Sequence, residues 1–196
     1  QTRNYGIDLL RLVAMFMIVV LHVLGQGGVL DTTKGYKNME AWFWETISYG
    51  AVNCYGMISG YVCFSDIEKK YSYKKILKFW VQVFAYSFGI SIKKIILSVI
   101  PIASKQYWYA SAYVGLFFII PWINKLMRTC SKNEATQLVT MLITVFAVYV
   151  TFANRVGDCF SLNGGYSFIW LAILYIIGAW IKKCNIPMLL KNSILF

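Results

Sequence analysis

The chain has 196 residues, of which 59% are hydrophobic, 17% aromatic and only 14% charged, where an ordinary soluble domain has about 25% charged residues. No soluble core of this length needs so many apolar side chains, whereas a bilayer needs spans of about 20 mainly apolar residues, so a water-soluble enzyme is excluded. The formal net charge of +11 does not require a nucleic-acid partner, because loop lysines and arginines follow membrane topology and attract anionic lipid head groups.

The first span is predicted over 7–24 and contains LLRLVAMFMIVVLH (Leu9–His22). Arg3 and this apolar run have the look of a signal peptide, but LGQGG (Leu24–Gly28) is a poor cleavage site and further spans follow, so the segment reads as a transmembrane helix. The longest connection comes next, and its glycines (Gly25, Gly27, Gly28 and Gly35) suggest turns rather than a folded insert. The second span is predicted over 44–64, where Gly56 and Gly60 form a small-xxx-small pair that permits close helix contact. Asn53 and Ser59 can add interhelical hydrogen bonds there. The third span, 76–97, carries Lys93 and Lys94 near its outer end. The fourth, 107–124, opens on aromatic residues and contains Pro121, which should end or kink it unless neighbouring groups absorb the freed carbonyl. The fifth and sixth are predicted over 135–153 and 166–181.

The fold class is therefore all-α, a polytopic transmembrane helical bundle with six helices in one domain, 1–196. The chain opens on glutamine, and a further apolar segment begins at NSILF (Asn192–Phe196), so the domain is expected to be incomplete at its carboxyl end. Arg3, the group Lys69, Lys70, Lys74 and Lys75, the group Lys125, Arg128 and Lys132, and the group Lys182, Lys183 and Lys191 all fall on one side. The other side mixes Lys34, Lys37, Lys105 and Arg155 with Asp31, Glu40 and Asp158. Positive residues concentrate inside, which puts the amino terminus in the cytoplasm. Cys54, Cys63, Cys130, Cys159 and Cys184 lack ligand spacing and have a single histidine to join them, so no metal site is expected.

Polar groups inside a span are costly and usually functional. Asp8 and Arg11 are three residues apart on one helix face. Either they pair while Arg11 snorkels to the head groups, or Asp8 holds an Arg11 fork that binds a phosphate or pyrophosphate from the cytoplasm. His22, the sole histidine, follows Arg11 by eleven residues, nearly on the same face and about 16 Å further along. It is either an interfacial histidine bonded to a neighbour or a general base toward a hydroxyl. QYWY (Gln106–Tyr109) is either an aromatic belt at the outer interface or, through Gln106, Tyr107 and Trp108, the mouth of a site beside His22. The glycines of NGGYSFIW (Asn163–Trp170) suggest a turn rather than a phosphate cradle, since the full loop motif and its lysine are missing.

Taken in order, YGIDLLRLVAMFMIVVLHV (Tyr5–Val23), ISGY (Ile58–Tyr61), SYKKILKFW (Ser72–Trp80), the Gln106–Pro121 stretch and WLAILYIIGAWIKK (Trp170–Lys183) resemble the acyltransferase 3 family of integral-membrane acyltransferases. The resemblance implies a bundle of about ten helices in the bacterial plasma membrane. It also implies transfer of an acyl group, usually acetyl from acetyl-CoA, to a hydroxyl of a glycan or related cell-envelope acceptor. His22 falls on the family's catalytic histidine. Arg11, supported by Asp8, falls on the arginine that helps hold the CoA donor. The basic segment departs from the family, with Lys74, Lys75 and Lys78 where members often carry an arginine pair. Lysine binds phosphate as a point charge without the planar fork. A small-solute permease is the alternative from another class, and a purely structural membrane module is a third.

Overall fold

The computed structural model describes residues 4–68, 72, 74–90, 108–153 and 157–186, and every regular element among them is helical. Helix α1 (Tyr5–Leu21) starts where the Asn4 side chain accepts from the backbone N–H groups of Gly6 and Ile7, 3.1 and 3.3 Å away. Such an N-cap satisfies donors that the first turn would otherwise leave open. Helix α1 runs directly into a π-helical turn, His22–Gln26. Its lengthwise apolar face (Leu12, Phe16 and Val19 among others) points outward, as lipid contact requires.

The connection after this turn differs from the expectation. Instead of turns alone it holds α2 (Val29–Thr32) and α3 (Tyr36–Ser48). Ala41, Glu45 and Ser48 bury one face at helical spacing, while Trp42, Phe43 and Trp44 stay largely exposed. The second predicted span is consequently divided at Tyr49 between α3 and α4 (Gly50–Cys63). Helix α5 (Lys74–Ile90) occupies most of the third, and its end over 91–97, with Lys93 and Lys94, lies outside the described residues.

Helix α6 (Trp108–Thr129) continues through Pro121 and ends a turn beyond the expected 124. Its last turn carries Arg128, the sign that suits a helix C-terminus. Helix α7 (Lys132–Ile143) opens on a capping box between Ser131 and Glu134. It passes through a π segment (Thr144–Tyr149) into α8 (Val150–Ala153). Helix α9 (Phe168–Lys183) is capped by Ser167 and finishes on Lys182 and Lys183.

Three helices, Tyr5–Gln26, Trp108–Thr129 and Lys132–Ala153, are long and apolar enough to cross a membrane. Six were expected. Among the described residues α4 has 14 residues and α9 has 16, so neither reaches the same length. They are instead the inner pair of the molecule.

The two pack with their backbones in contact. A Cβ on Gly60 would lie 1.9 Å from the carbonyl oxygen of Tyr175, and one on Gly178 would lie 1.9 Å from that of Met57. Gly56 faces Leu174 in the same seam. The small-xxx-small pair of the second span is thus one side of this contact, and Gly178 is the notch opposite. Around it lies the core of Phe64, Leu116, Ile120, Met127, Leu171 and Tyr175. Polar groups within it are paired. The Tyr175 hydroxyl donates to Asn124 Oδ1 at 2.9 Å, and Lys182 Nζ donates to the Phe64 carbonyl at 2.7 Å, closing the end of α4.

A methyl group at the seam has to push backbone aside, so Gly60→Ala and Gly178→Ala should each destabilise the protein by about 3 kcal/mol or more. Gly50→Ala is the control, because its Cβ meets only the tip of Met17 at 3.8 Å and replacing Gly by Ala inside a helix gains up to about 1 kcal/mol. Thermal unfolding of the purified protein in detergent measures this. Equal melting temperatures for all three variants would contradict the seam.

Candidate functional site

A cavity of about 1350 Å³ lies at the end of the bundle where α1 passes into its π turn. Its walls come from α1, α3, α4, the opening of α6, the π segment after α7 and the loop leading into α9. The α4–α9 seam fixes two of these walls. They are tied again at the cavity itself, where the Trp170 indole N–H donates to Asn53 Oδ1 at 2.9 Å.

His22 lines this cavity as the first residue of the π turn. Its Nδ1 lies 2.8 Å from the carbonyl oxygen of Ile18. A carbonyl can only accept, so Nδ1 carries the proton in that bond, and in the neutral form of the ring the lone pair is on Nε2. The backbone of the same helix therefore sets the tautomer of the ring.

Trp108 lines the same cavity from the first turn of α6 and meets the Tyr166 ring edge-on, with centroids 4.9 Å apart. Gln106 and Tyr107 lie outside the described residues. The loop of Tyr166 is built around Asp158, whose carboxylate accepts from the N–H groups of Leu162 at 2.8 Å and Asn163 at 2.5 Å. These bonds, Asn163's foremost, hold the Asp158 carboxyl below the usual carboxylate range. Gly164 and Gly165 adopt positive φ and close a 3₁₀ turn. The N–H groups of Leu162 and Asn163 already serve a carboxylate, so the loop is the turn expected from its sequence.

Arg11 lies elsewhere. It is not among the residues lining the cavity, and its guanidinium pairs with Asp8 at 3.3 Å with both side chains partly exposed. It stands toward the opposite end of α1, about 16 Å from His22 along the axis. Tyr55 spans part of the interval, since it lines the cavity and its hydroxyl donates to the Arg11 carbonyl at 3.1 Å. Lys74, Lys75 and Lys78 are exposed on the first turns of α5, which packs on α6 through Phe79 and Tyr113. The structure thus groups His22 with Trp108 and separates them from the Asp8–Arg11 pair and the lysines.

One lining residue was missed in the sequence. Glu45 of α3 is only 6% exposed, and its Oε2 is buried with no hydrogen-bond partner. Its Oε1 faces Gly25, three residues after His22, where an added Cβ would come within 3.4 Å. The signal was the helical spacing of Ala41, Glu45 and Ser48, which the neighbouring glycines and aromatics obscured.

No match was found among curated proteins or among solved structures. The profile of the acyltransferase domain matches residues 4–185, which takes in every cavity-lining element described above. The chain belongs to the acyltransferase 3 family of membrane acyltransferase domains.

Proposed function

We propose that this chain forms the donor and general-base half of an O-acyltransferase in the bacterial plasma membrane. It moves an acetyl or other acyl group from cytoplasmic acyl-CoA to a hydroxyl of a cell-envelope glycan or related acceptor. The observation that carries the reading is His22, a ring bonded through Nδ1 to its own helix with Nε2 left for a substrate proton, on the wall of a large cavity.

The chemistry follows from that nitrogen. Nε2 takes the proton of the acceptor hydroxyl as its oxygen attacks the thioester carbonyl. The tetrahedral intermediate collapses with cleavage of the C–S bond. The imidazolium then returns its proton to the departing CoA thiolate, leaving an ester, free CoA thiol and neutral His22. Arg11, oriented by Asp8, holds donor phosphate at the inner end of α1, and Lys74, Lys75 and Lys78 add positive charge on the same side. The long pantetheine arm bridges the interval to His22. Trp108, with Gln106 and Tyr107, contacts the acceptor. This places the amino terminus in the cytoplasm and the cavity toward the outer face, in accord with the loop charges.

His22→Ala should lower acetyl transfer by about 10²–10⁴-fold in membranes while insertion is retained, as loss of a general base does. Transfer from labelled acetyl-CoA to cell-envelope glycans reads this, and near wild-type transfer would end the general-base role. Arg11→Ala should act chiefly by raising KM for acetyl-CoA, and Arg11→Lys should recover only part of the loss because the fork is missing. An unchanged KM in both would remove Arg11 from the donor site. Solute uptake without acetyl-CoA turnover on any hydroxyl acceptor would replace the transferase with a permease. For orientation, single cysteines at positions 70 and 128, in a background lacking native cysteines, should resist an impermeant thiol reagent in intact cells, and one at position 34 should react.

A further inference from the structure

We infer that Asn53 is a binding residue for the pantetheine arm of the donor: its side-chain amide, oriented by Trp170, donates a hydrogen bond to an amide carbonyl of the arm part-way between Arg11 and His22. The inference rests on the transferase reading for the identity of the ligand as donor, while the fit of this wall to a neutral amide carbonyl stands on the geometry alone.

The Asn53–Trp170 bond decides which end of the amide is free. An indole N–H can only donate, so the atom that faces Trp170 Nε1 at 2.9 Å is Oδ1. The two N–H donors of Nδ2 therefore point away from Trp170. Nδ2 meets no partner among the described residues. It is not shut in either, because Glu45 Oε2 is the one side-chain nitrogen or oxygen among them that is both buried and unpartnered. Asn53 lines the cavity. The wall thus offers a fixed hydrogen-bond donor with no acceptor of its own.

The level of Asn53 along the bundle says what it can reach. Tyr55 bonds the Arg11 carbonyl, and a Cβ on Gly50 would meet Met17, so α4 runs antiparallel to α1 and Asn53 falls level with Val13 and the buried Ala14. His22 lies eight residues beyond Ala14, about 12 Å along the axis. That is too far for Asn53 to share the thioester carbonyl with it. The cavity nonetheless follows α1 from Met15 to Gln26, about 16 Å, and reaches Tyr55 at the Arg11 side. Met15, Ile18 and Val52 give it apolar lining beside Asn53. A thin chain of methylenes interrupted by neutral amides suits such a wall, with its methylenes on the apolar side chains and a carbonyl on Nδ2. With little water to compete, that hydrogen bond is stronger than in bulk solvent. An N-acetyl group of a glycan presents the same carbonyl, but it arrives from the far side of His22, whereas the arm passes Asn53 on its way from Arg11.

The test is equilibrium binding to the intact protein in nanodiscs, measured by calorimetry with CoA, S-methylpantetheine, adenosine bisphosphate and methyl N-acetylglucosaminide. Wild type should bind CoA and S-methylpantetheine. Asn53→Leu keeps the size and removes the amide, so it should weaken both by about tenfold. It should leave the bisphosphate unchanged, because that half of the donor stays at Arg11, whereas a general loss of structure would weaken all three. Trp170→Phe frees the amide to turn, so it should show part of the same selective loss, and it decides the matter should Asn53→Leu not fold. No binding of S-methylpantetheine by the wild type, unchanged affinity for it in a folded Asn53→Leu protein, an equal loss for the bisphosphate, or an Asn53 dependence confined to the N-acetylglucosaminide would each overturn the assignment. Labelled acetyl transfer separates it from the reading on which it rests. Asn53-dependent binding of S-methylpantetheine without transfer to any hydroxyl would end the transferase and keep the amide site, while transfer whose KM for acetyl-CoA is untouched by Asn53→Leu would do the reverse.

Discussion

The contact on which the rest of the molecule depends is the one between the backbones of α4 and α9. Gly60 and Gly178 each face a carbonyl of the opposite helix at a distance where no side chain fits. In a bilayer there is little hydrophobic force between helices, so close approach of backbones and interhelical hydrogen bonds hold them together. The seam supplies the first. The Trp170–Asn53 and Lys182–Phe64 bonds, one toward each end, supply the second. Because α3 leads into α4 at Tyr49 and the Asp158 loop leads into α9, fixing this pair also fixes the elements that bear Glu45, Tyr166 and Trp170.

Helix α1 is then laid against α4, with Tyr55 bonded to its backbone at Arg11. The end of α1 that reaches the cavity is not an ordinary helical turn. The π turn beginning at His22 is a wider coil of a kind that often occurs at functional sites. It brings Gly25 against Glu45 while His22 keeps its ring bond to Ile18 one turn back. Local backbone geometry therefore does two things in one place. It fixes which ring nitrogen is open, and it brings a carboxylate from another helix to the same turn.

The sequence made the seam readable on one side, because Gly56 and Gly60 stand four apart in an apolar run, and it made His22 and Arg11 readable because polar residues in such a run stand out. It did not make α3 readable. The buried residues there are Ala41, Glu45 and Ser48, small or polar, while the large aromatics Trp42, Phe43 and Trp44 face outward. An apolar-periodicity reading looks for the opposite arrangement, and the outward aromatics are natural only beside lipid. Pro121 does not end its helix, for a related reason. Proline lacks the N–H of the ladder, but a helix packed along its length, with Leu116, Ile120, Ile123 and Met127 buried around the proline, has enough tertiary support to continue. The π turn at His22 left no trace in composition, since it is a property of backbone hydrogen bonding rather than of residue type.

The charged groups of α1 and α5 stand apart from those of the cavity. Away from the cavity Arg11 is held by Asp8, and the first turns of α5 carry the exposed Lys74, Lys75 and Lys78. The described cavity wall carries Glu45 and Asp158. The turn that His22 opens is what these elements hold in place: it is tied by the Ile18 carbonyl, by Gly25 against Glu45 and, through α4, by the glycine seam.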